Sequence, residues 1–174
     1  MQKGVVRKRR PTPLSEYGRQ LQEKQDLKLQ YNLREKQLKN YVKGALSKAG
    51  QGDSTQLLLE SLERRLDNVV FRAGFAPTRK QARQMVTHGH FLVNTRKVDV
   101  PSFQVKKGDA VAVRPSSKER PLFKSVVLGL KKYEAPAWLS LNKEAMEVSV
   151  QQFPTFKEAA PSVEIPLIFE FYSR

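Results

Sequence analysis

Residues 60–114 decide the predicted fold and read ESLERRLDNVVFRAGFAPTRKQARQMVTHGHFLVNTRKVDVPSFQVKKGDAVAVR. In the first half of this stretch apolar residues recur at helical spacing, and Gly74, Pro77 and Gly89 interrupt them. This pattern predicts two short helices. In the second half apolar and polar residues alternate, which predicts short strands joined by turns. The expected unit is a helix pair followed by a small sheet.

Capping residues set the predicted bounds of the two helices. Asp53 can cap the first helix, which is predicted to run unbroken to Gly74. Thr78 can cap the second helix, which is predicted to end at Gly89. The predicted strands are residues 91–93, 97–100, 103–105 and 110–113.

Cationic and amide side chains of both helices fall outside the apolar stripes, so we expect them to form one exposed face. Arginine suits an RNA partner because its planar guanidinium pairs with phosphate and stacks on bases. Thr78 marks the helix N-terminus that would present free N–H groups to a phosphate. The alternative is a solvated helix face without a ligand. The candidate RNA contacts are Arg64, Arg65, Asn68, Arg72, Thr78, Arg79, Lys80, Arg83 and Gln84.

Other polar residues of this stretch have different expected roles, and His88 is interpreted as an RNA neighbour or a turn residue. Asp67 is expected to orient Arg64 or Arg72 by ion pairing. His88 and His90 lie two residues apart without cysteines or clustered carboxylates, which makes a poor metal site. We find no nucleophile–base arrangement and no phosphate-cradling glycine loop. The sequence therefore predicts no catalytic residue, metal or cofactor.

The charge of the whole chain agrees with an RNA partner. Its 174 residues hold 32 Lys and Arg against 17 Asp and Glu, which gives a net charge of +15. Such an excess favours a polyanionic partner and disfavours an enzyme acting on neutral substrates. Residues 1–52 carry +9, residues 53–114 carry +5 and residues 115–174 carry +1. RNA is thus expected to meet the first two thirds of the chain.

The flanks of the central stretch predict a basic arm and a helical domain. Residues 1–13 form the arm, whose block Arg7, Lys8, Arg9 and Arg10 either contacts nucleic acid or is a solvated tail. Helices are predicted from Ser15 to about residue 31, from about residue 34, and from about 122 to 132. Residues 138–141 and 146–150 are predicted strands, residues 116–120 an exposed polar segment, and residues 164–174 either helix or strand.

These elements predict an α+β fold. Residues 14–59 are assigned to a helical domain completed by residues 133–174, and residues 60–132 to the RNA-binding domain between them. The chain has no cysteine and no apolar run of about 18 residues, so neither disulfides nor a membrane span are expected. The basic N-terminus is unlike a secretory signal, and an organellar transit peptide is less favoured because Ser richness is lacking.

Short motifs in the central stretch resemble the S-four-type RNA-binding domain. They are 65–68 (RLDN), 71–76 (FRAGFA), 78–79 (TR), 82–84 (ARQ), 88–90 (HGH), 93–94 (VN) and 105–111. The flanks resemble the bacterial small-subunit ribosomal protein family that gives the domain its name. The flanking matches are 14–18 (LSEYG), 20–21 (QL), 23–25 (EKQ), 35–38 (EKQL), 40–41 (NY), 136–139 (PAWL) and 170–174 (EFYSR).

The resemblance implies a structural rRNA-binding protein of the small ribosomal subunit. It also implies that the RNA-binding domain, residues 60–132, is inserted into the helical domain. Members of that family bind a junction in the 5′ domain of small-subunit rRNA early in assembly. They lie beside ribosomal protein S-five, near the channel through which mRNA enters, and contribute to translational accuracy. The arm residues Arg7 to Arg10 would then contact mRNA or rRNA. The implied location is the cytoplasmic ribosome, with an organellar ribosome as the alternative.

The chain departs from the family pattern at two places. Family members usually carry a few tens more N-terminal residues, in some of them a cysteine zinc knuckle, whereas this chain has no cysteine. The usual Asn-Gly hairpin turn is Asn94-Thr95 here. Because threonine tolerates a positive φ poorly, we expect a different turn type.

Two other functions were weighed. A pseudouridine synthase uses the same domain for delivery, but the flanks are too short for a usual catalytic domain and no aspartate follows Asp109. A free-standing RNA chaperone is disfavoured by the family-like flanks at both ends.

Overall fold

The computed structural model describes residues 13–159 and 161–174, without the side chain of Gln51. The predicted arm contacts Arg7, Lys8, Arg9 and Arg10 lie outside the described residues. The described part is an α+β fold, as predicted. The helices are α1 (Glu16–Gln30), α2 (Glu35–Ser47), α3 (Ser54–Glu63), α4 (Leu66–Arg72), α5 (Arg79–Thr87), α6 (Pro115–Lys118), α7 (Pro121–Leu130), α8 (Phe156–Ala159) and α9 (Ile165–Ser173). The strands are β1 (Phe91–Val93), β2 (Arg96–Lys97), β3 (Ala110–Val113), β4 (Leu139–Asn142) and β5 (Glu147–Val150).

Helices α1, α2, α3, α8 and α9 share one apolar core and are called the helical unit. Helix α1 begins where the Ser15 hydroxyl accepts the Gly18 N–H at 3.1 Å, as the sequence predicted. The C-terminal segment, left open between helix and strand, is helix α9 because Ile165 and Ile168 bury one stripe against the other helices. Within the described residues, every helix is too short or too polar to cross a membrane.

Helices α4 to α7 and the sheet form a second body, called the sheet unit. Its strands are antiparallel in the order β2-β1-β3-β5-β4. Phe75, Phe91, Phe123 and Trp138 are fully buried in its core. Helix α5 begins at the predicted cap, where the Thr78 hydroxyl accepts the Gln81 N–H at 3.2 Å.

The assignment of residues 133–174 to the helical domain is corrected for β4 and β5. These strands extend the sheet, since Val111 of β3 pairs with Val148 of β5. Trp138 and Val148 bury their side chains in the core of the sheet unit. Apolar alternation predicted the strands correctly, but it carries no information about which neighbour they pair with. Only the last segment, with α8 and α9, completes the helical unit.

The helix predicted to run from Asp53 to Gly74 is broken between α3 and α4. Arg65 has an extended backbone and pairs with Gln104 as an isolated bridge. The Leu66 N–H donates to the Phe103 carbonyl, and the Val105 N–H donates to the Arg64 carbonyl, both at 2.9 Å. Residues 101–105 therefore line the break instead of forming the predicted strand 103–105. Strand 97–100 is likewise shorter than predicted and ends at Lys97.

Two expectations about loops are wrong. A different turn type was expected at Asn94-Thr95, but both residues have positive φ, 48° and 71°, as the usual Asn-Gly hairpin turn requires. The Asn94 amide supports this turn by donating to Asp109 and accepting the Ala110 N–H. Residues 116–120 are not wholly exposed, because Ser117 of α6 is buried. Its hydroxyl oxygen lies 2.9 Å from Nδ1 of His90.

Candidate nucleic-acid interface

The predicted contact residues do not form one exposed face. Arg65 and Asn68 are buried, so the expectation that they point away from the core is wrong. Four residues are half-buried and bonded within the protein: Arg64, Arg72, Arg79 and Arg83. Three residues are exposed: Thr78, Lys80 and Gln84.

Arg65 is held by a two-pronged ion pair with Asp67. Its Nε and NH2 atoms donate to the two carboxylate oxygens at 3.0 and 2.6 Å, and its NH1 donates to the Tyr41 hydroxyl at 2.9 Å. Burial lowers the pKa of Arg65, but the hydrogen bond and charge of Asp67 outweigh it and raise that pKa. Asp67 thus forms its ion pair with Arg65, and the predicted pairing with Arg64 or Arg72 is wrong. Arg65 can reach Asp67 because the break before α4 lets its side chain lie over the first turn of that helix.

Glu63 is fully buried, and its carboxylate is the common partner of several polar side chains. Its carboxylate accepts the Tyr31 hydroxyl at 2.6 Å and the Asn68 amide at 2.7 Å. Arg72 donates to both carboxylate oxygens, at 3.0 and 2.9 Å. The Arg79 guanidinium lies 3.9 Å from the same carboxylate and donates to the side-chain oxygen Oδ1 of Asn68 at 2.8 Å. We call these five residues the Glu63 clamp.

Burial and charge determine the protonation of the clamp. Burial and the neighbouring Glu63 charge raise the pKa of Tyr31, which keeps its hydroxyl a donor. Burial lowers the pKa of Arg79. Burial also opposes the charge of Arg72, but its hydrogen bonds to Glu63 prevail and raise the pKa. One buried anion therefore holds two partly desolvated cations together.

Exposed polar residues of α5 form a smaller surface than predicted, called the α5 face: Thr78, Lys80, Gln84 and His88. These side chains border a shallow cleft of about 320 Å³ that reaches the buried His90. Burial, then Arg120, His88 and Arg114, lower the pKa of His90. Arg120 and Arg114 are cationic neighbours, so this end of α5 has a positive potential.

A second cationic surface lies on α2, and the sequence analysis missed it. The α2 face consists of Lys36, Lys39, Lys43 and Lys48, all exposed. Among the described residues, no carboxylate lies within ion-pairing distance of these lysines, whereas the nearby Lys24 and Lys28 pair with Glu35. The signal was present in the sequence, because the first three recur at i, i+3 and i+7 opposite the buried stripe of Leu38 and Val42.

At Lys48 the α2 face borders a cleft between the two units. The cleft has a volume of about 510 Å³, and Tyr41, Lys48, Arg64 and Ser102 are among the residues that line it. Within the described residues, no group of three or more His, Asp and Glu side chains is arranged to hold a metal ion. The geometry thus offers cationic surfaces on both units and a cleft between them.

Two protein-family models match the chain. The model described as "S4 domain" matches residues 64–111, and the model described as "Ribosomal protein S4/S9 N-terminal domain" matches residues 1–63. The first match contains the α5 face, and the second contains the α2 face.

Curated relatives cover nearly the whole chain. "Small ribosomal subunit protein uS4" of Persephonella marina is 49% identical over 94% of this chain and 80% of its own length. The protein of the same name from Chloroflexus aurantiacus is 45% identical over 99% of this chain and 83% of its own. "Small ribosomal subunit protein uS4A" of Symbiobacterium thermophilum is 45% identical over 96% of this chain. These are structural ribosomal proteins and not enzymes. The chain belongs to the ribosomal protein S4 family.

Proposed function

We propose that this chain binds the 5′ domain of small-subunit rRNA early in ribosome assembly, through the α2 face and the α5 face together. The observation that carries the proposal is the set of exposed lysines on α2 and α5 that have no acidic partner within the described residues. RNA phosphates attract such lysines and release their counterions on contact, which gives affinity without sequence readout.

The half-buried arginines have a limited part in this function. Arg64, Arg72, Arg79 and Arg83 already use hydrogen-bonding atoms on protein partners, so each offers RNA only its remaining exposed edge. Arg65 and Asn68 are buried, so they are assigned a structural role beneath the surface and no direct RNA contact. The direct contacts are therefore assigned to Thr78, Lys80 and Gln84 of α5 and to the α2 lysines.

The wider placement follows the family resemblance. On the small subunit the chain lies beside ribosomal protein S-five and near the channel through which mRNA enters, and it contributes to translational accuracy. Arg7, Lys8, Arg9 and Arg10 contact mRNA or rRNA. The cytoplasmic ribosome is the proposed location.

The salt dependence of rRNA binding tests the α2 face. A triple variant Lys36→Met, Lys39→Met and Lys43→Met removes three exposed cations from one side of α2. Its affinity for a 5′-domain rRNA fragment should fall, and the slope of log affinity against log salt should become shallower by about 2 to 3, since each neutralised phosphate contributes about 0.7 to 0.9.

A matched triple separates a specific surface from total charge. Lys131→Met, Lys132→Met and Lys143→Met remove the same charge from exposed positions of the sheet unit, far along the chain from α2. This control should bind with a slope close to that of the parent. Equal effects of both triples, or no effect of the α2 triple, would rule out the α2 face as a contact surface.

A further inference from the structure

The Glu63 clamp lies where the helical unit meets the sheet unit. Tyr31 follows α1 and is buried in the helical core, whereas Arg79 begins α5 in the sheet unit. Arg72 of α4 bonds Glu63 and also donates to the Ala159 carbonyl of α8 at 3.0 Å. Beside the clamp, Arg83 of α5 donates to the Asn32 carbonyl at 2.9 Å. Hydrogen bonds that converge on one carboxylate thus cross the seam between the two cores.

Directional bonds suit this seam better than apolar contacts would. A buried ion pair contributes little net stability, because desolvation of both charges offsets their attraction. Its geometry is nonetheless restrictive, since Arg72 must place two N–H groups on the two Glu63 oxygens at once and the Tyr31 bond is short. A carboxylate with donors from both units therefore favours one angle between them, which an apolar seam would not specify.

The angle between the units matters if both cationic faces contact one RNA. The α2 face belongs to the helical unit and the α5 face to the sheet unit. Two linked contacts raise affinity only when their geometry permits both at once. A rotation at the seam would separate the lysines of the two faces from the phosphates they meet together.

We propose that Glu63 is a positioning residue whose clamp sets the angle between the helical unit and the sheet unit, and thereby the joint fit of the α2 and α5 faces to rRNA. This inference rests on the proposed function. Glu63 itself is fully buried and acts only through Tyr31, Asn68, Arg72 and Arg79.

The variant Glu63→Gln separates positioning from charge by the sign of its effect. It removes one negative charge, so electrostatics alone would tighten RNA binding. It also leaves Arg72 and Arg79 without their anion and places an amide N–H₂ where an acceptor is needed. Positioning by the clamp therefore predicts weaker binding, opposite to the effect of charge.

The angle can be followed without RNA because the chain contains no cysteine. Ser47→Cys on α2 and Ser140→Cys on β4 place two spin labels at exposed sites, one on each unit. In the full-length protein, Glu63→Gln should broaden or shift the label–label distance distribution. The dissociation constant of Glu63→Gln for the 5′-domain rRNA fragment should rise by at least about tenfold, and by no more than the roughly 10² to 10⁴ that joint contact provides.

Lys80→Met is the control on the RNA side. It removes an exposed cation of the α5 face, so it should weaken binding while the distance distribution stays parental. If Glu63→Gln melts cooperatively and keeps the parental distribution, or binds RNA as tightly as the parent, the inference is overturned.

Tyr31→Phe keeps the test decisive if Glu63→Gln fails to fold. It removes one donor at a residue that is 2% exposed and changes no charge, so it should broaden the distribution and weaken binding in the same directions. Parental values of both quantities would overturn the inference. A parent protein without salt-dependent rRNA binding would instead refute the proposed function, and the distance measurement would remain informative about the clamp.

Discussion

Arg72→Met should lower the free energy of unfolding by about 3 kcal/mol, although Arg72 looks like a surface cation in the sequence. Arg72 makes two charged hydrogen bonds to Glu63 and one bond to the Ala159 carbonyl. Methionine is unbranched and fills a similar space, so the main loss is electrostatic. Removing one partner of a buried ion pair costs about 3–5 kcal/mol, because the other charge stays buried without its counterion.

Two features place the effect at the lower end of that range. The Arg72 side chain is 19% exposed, so water screens part of the interaction. Tyr31 and Asn68 still donate to Glu63, and Arg79, at 3.9 Å, can move closer. The residual compensation reduces the penalty without abolishing it.

Urea denaturation of the free protein measures the effect. The midpoint should fall while the slope with denaturant is unchanged, which indicates a change in native stability alone. Lys80→Met removes an equally charged but exposed side chain, and should stay within about 0.5 kcal/mol of the parent. Adding Glu63→Gln to Arg72→Met should cost less than the sum of the single changes, because the unpaired anion is gone. An Arg72→Met protein as stable as the Lys80→Met control would refute the reasoning.

Two further predictions concern stability. His90 is buried, and its pKa is lowered first by burial and then by Arg120, His88 and Arg114. His90 therefore binds a proton at a higher pH in the unfolded chain than in the folded protein. The free energy of unfolding should consequently decline as pH falls below about 6.5. Urea midpoints from pH 8 to pH 5 should show this decline in the parent and a flatter profile in His90→Gln; equal profiles would contradict the assignment. Gly74 has a φ of +79°, and a Cβ there would meet the Tyr133 ring at 2.7 Å, so Gly74→Ala should destabilise by about 1–3 kcal/mol. A Cβ added at Gly44, inside α2, would have no neighbour within 4 Å, so Gly44→Ala should stabilise the protein by about 0.5–1 kcal/mol. Equal melting temperatures of Gly44→Ala and Gly74→Ala in calorimetry would contradict this prediction.

Local chemistry in the sequence determined most of the secondary structure. Ser15, Asp53 and Thr78 cap α1, α3 and α5 because their side-chain oxygens accept nearby backbone N–H groups, a preference that needs no tertiary contact. Alternating apolar residues likewise marked β4 and β5. The family motifs and the charge of +15 were also present in the sequence alone.

Only the tertiary structure decided which polar residues face solvent. Asn68 and Arg72 share a polar flank of α4, and helical spacing correctly placed them outside its apolar stripe. Spacing cannot reveal what covers that flank, and here Tyr31 and Glu63 of the helical unit cover it. The sequence did not indicate a role for Glu63, because its hydrogen-bond partners are up to 32 residues away along the chain. Burial depends on the neighbours that the whole fold supplies, so the clamp became visible only in three dimensions.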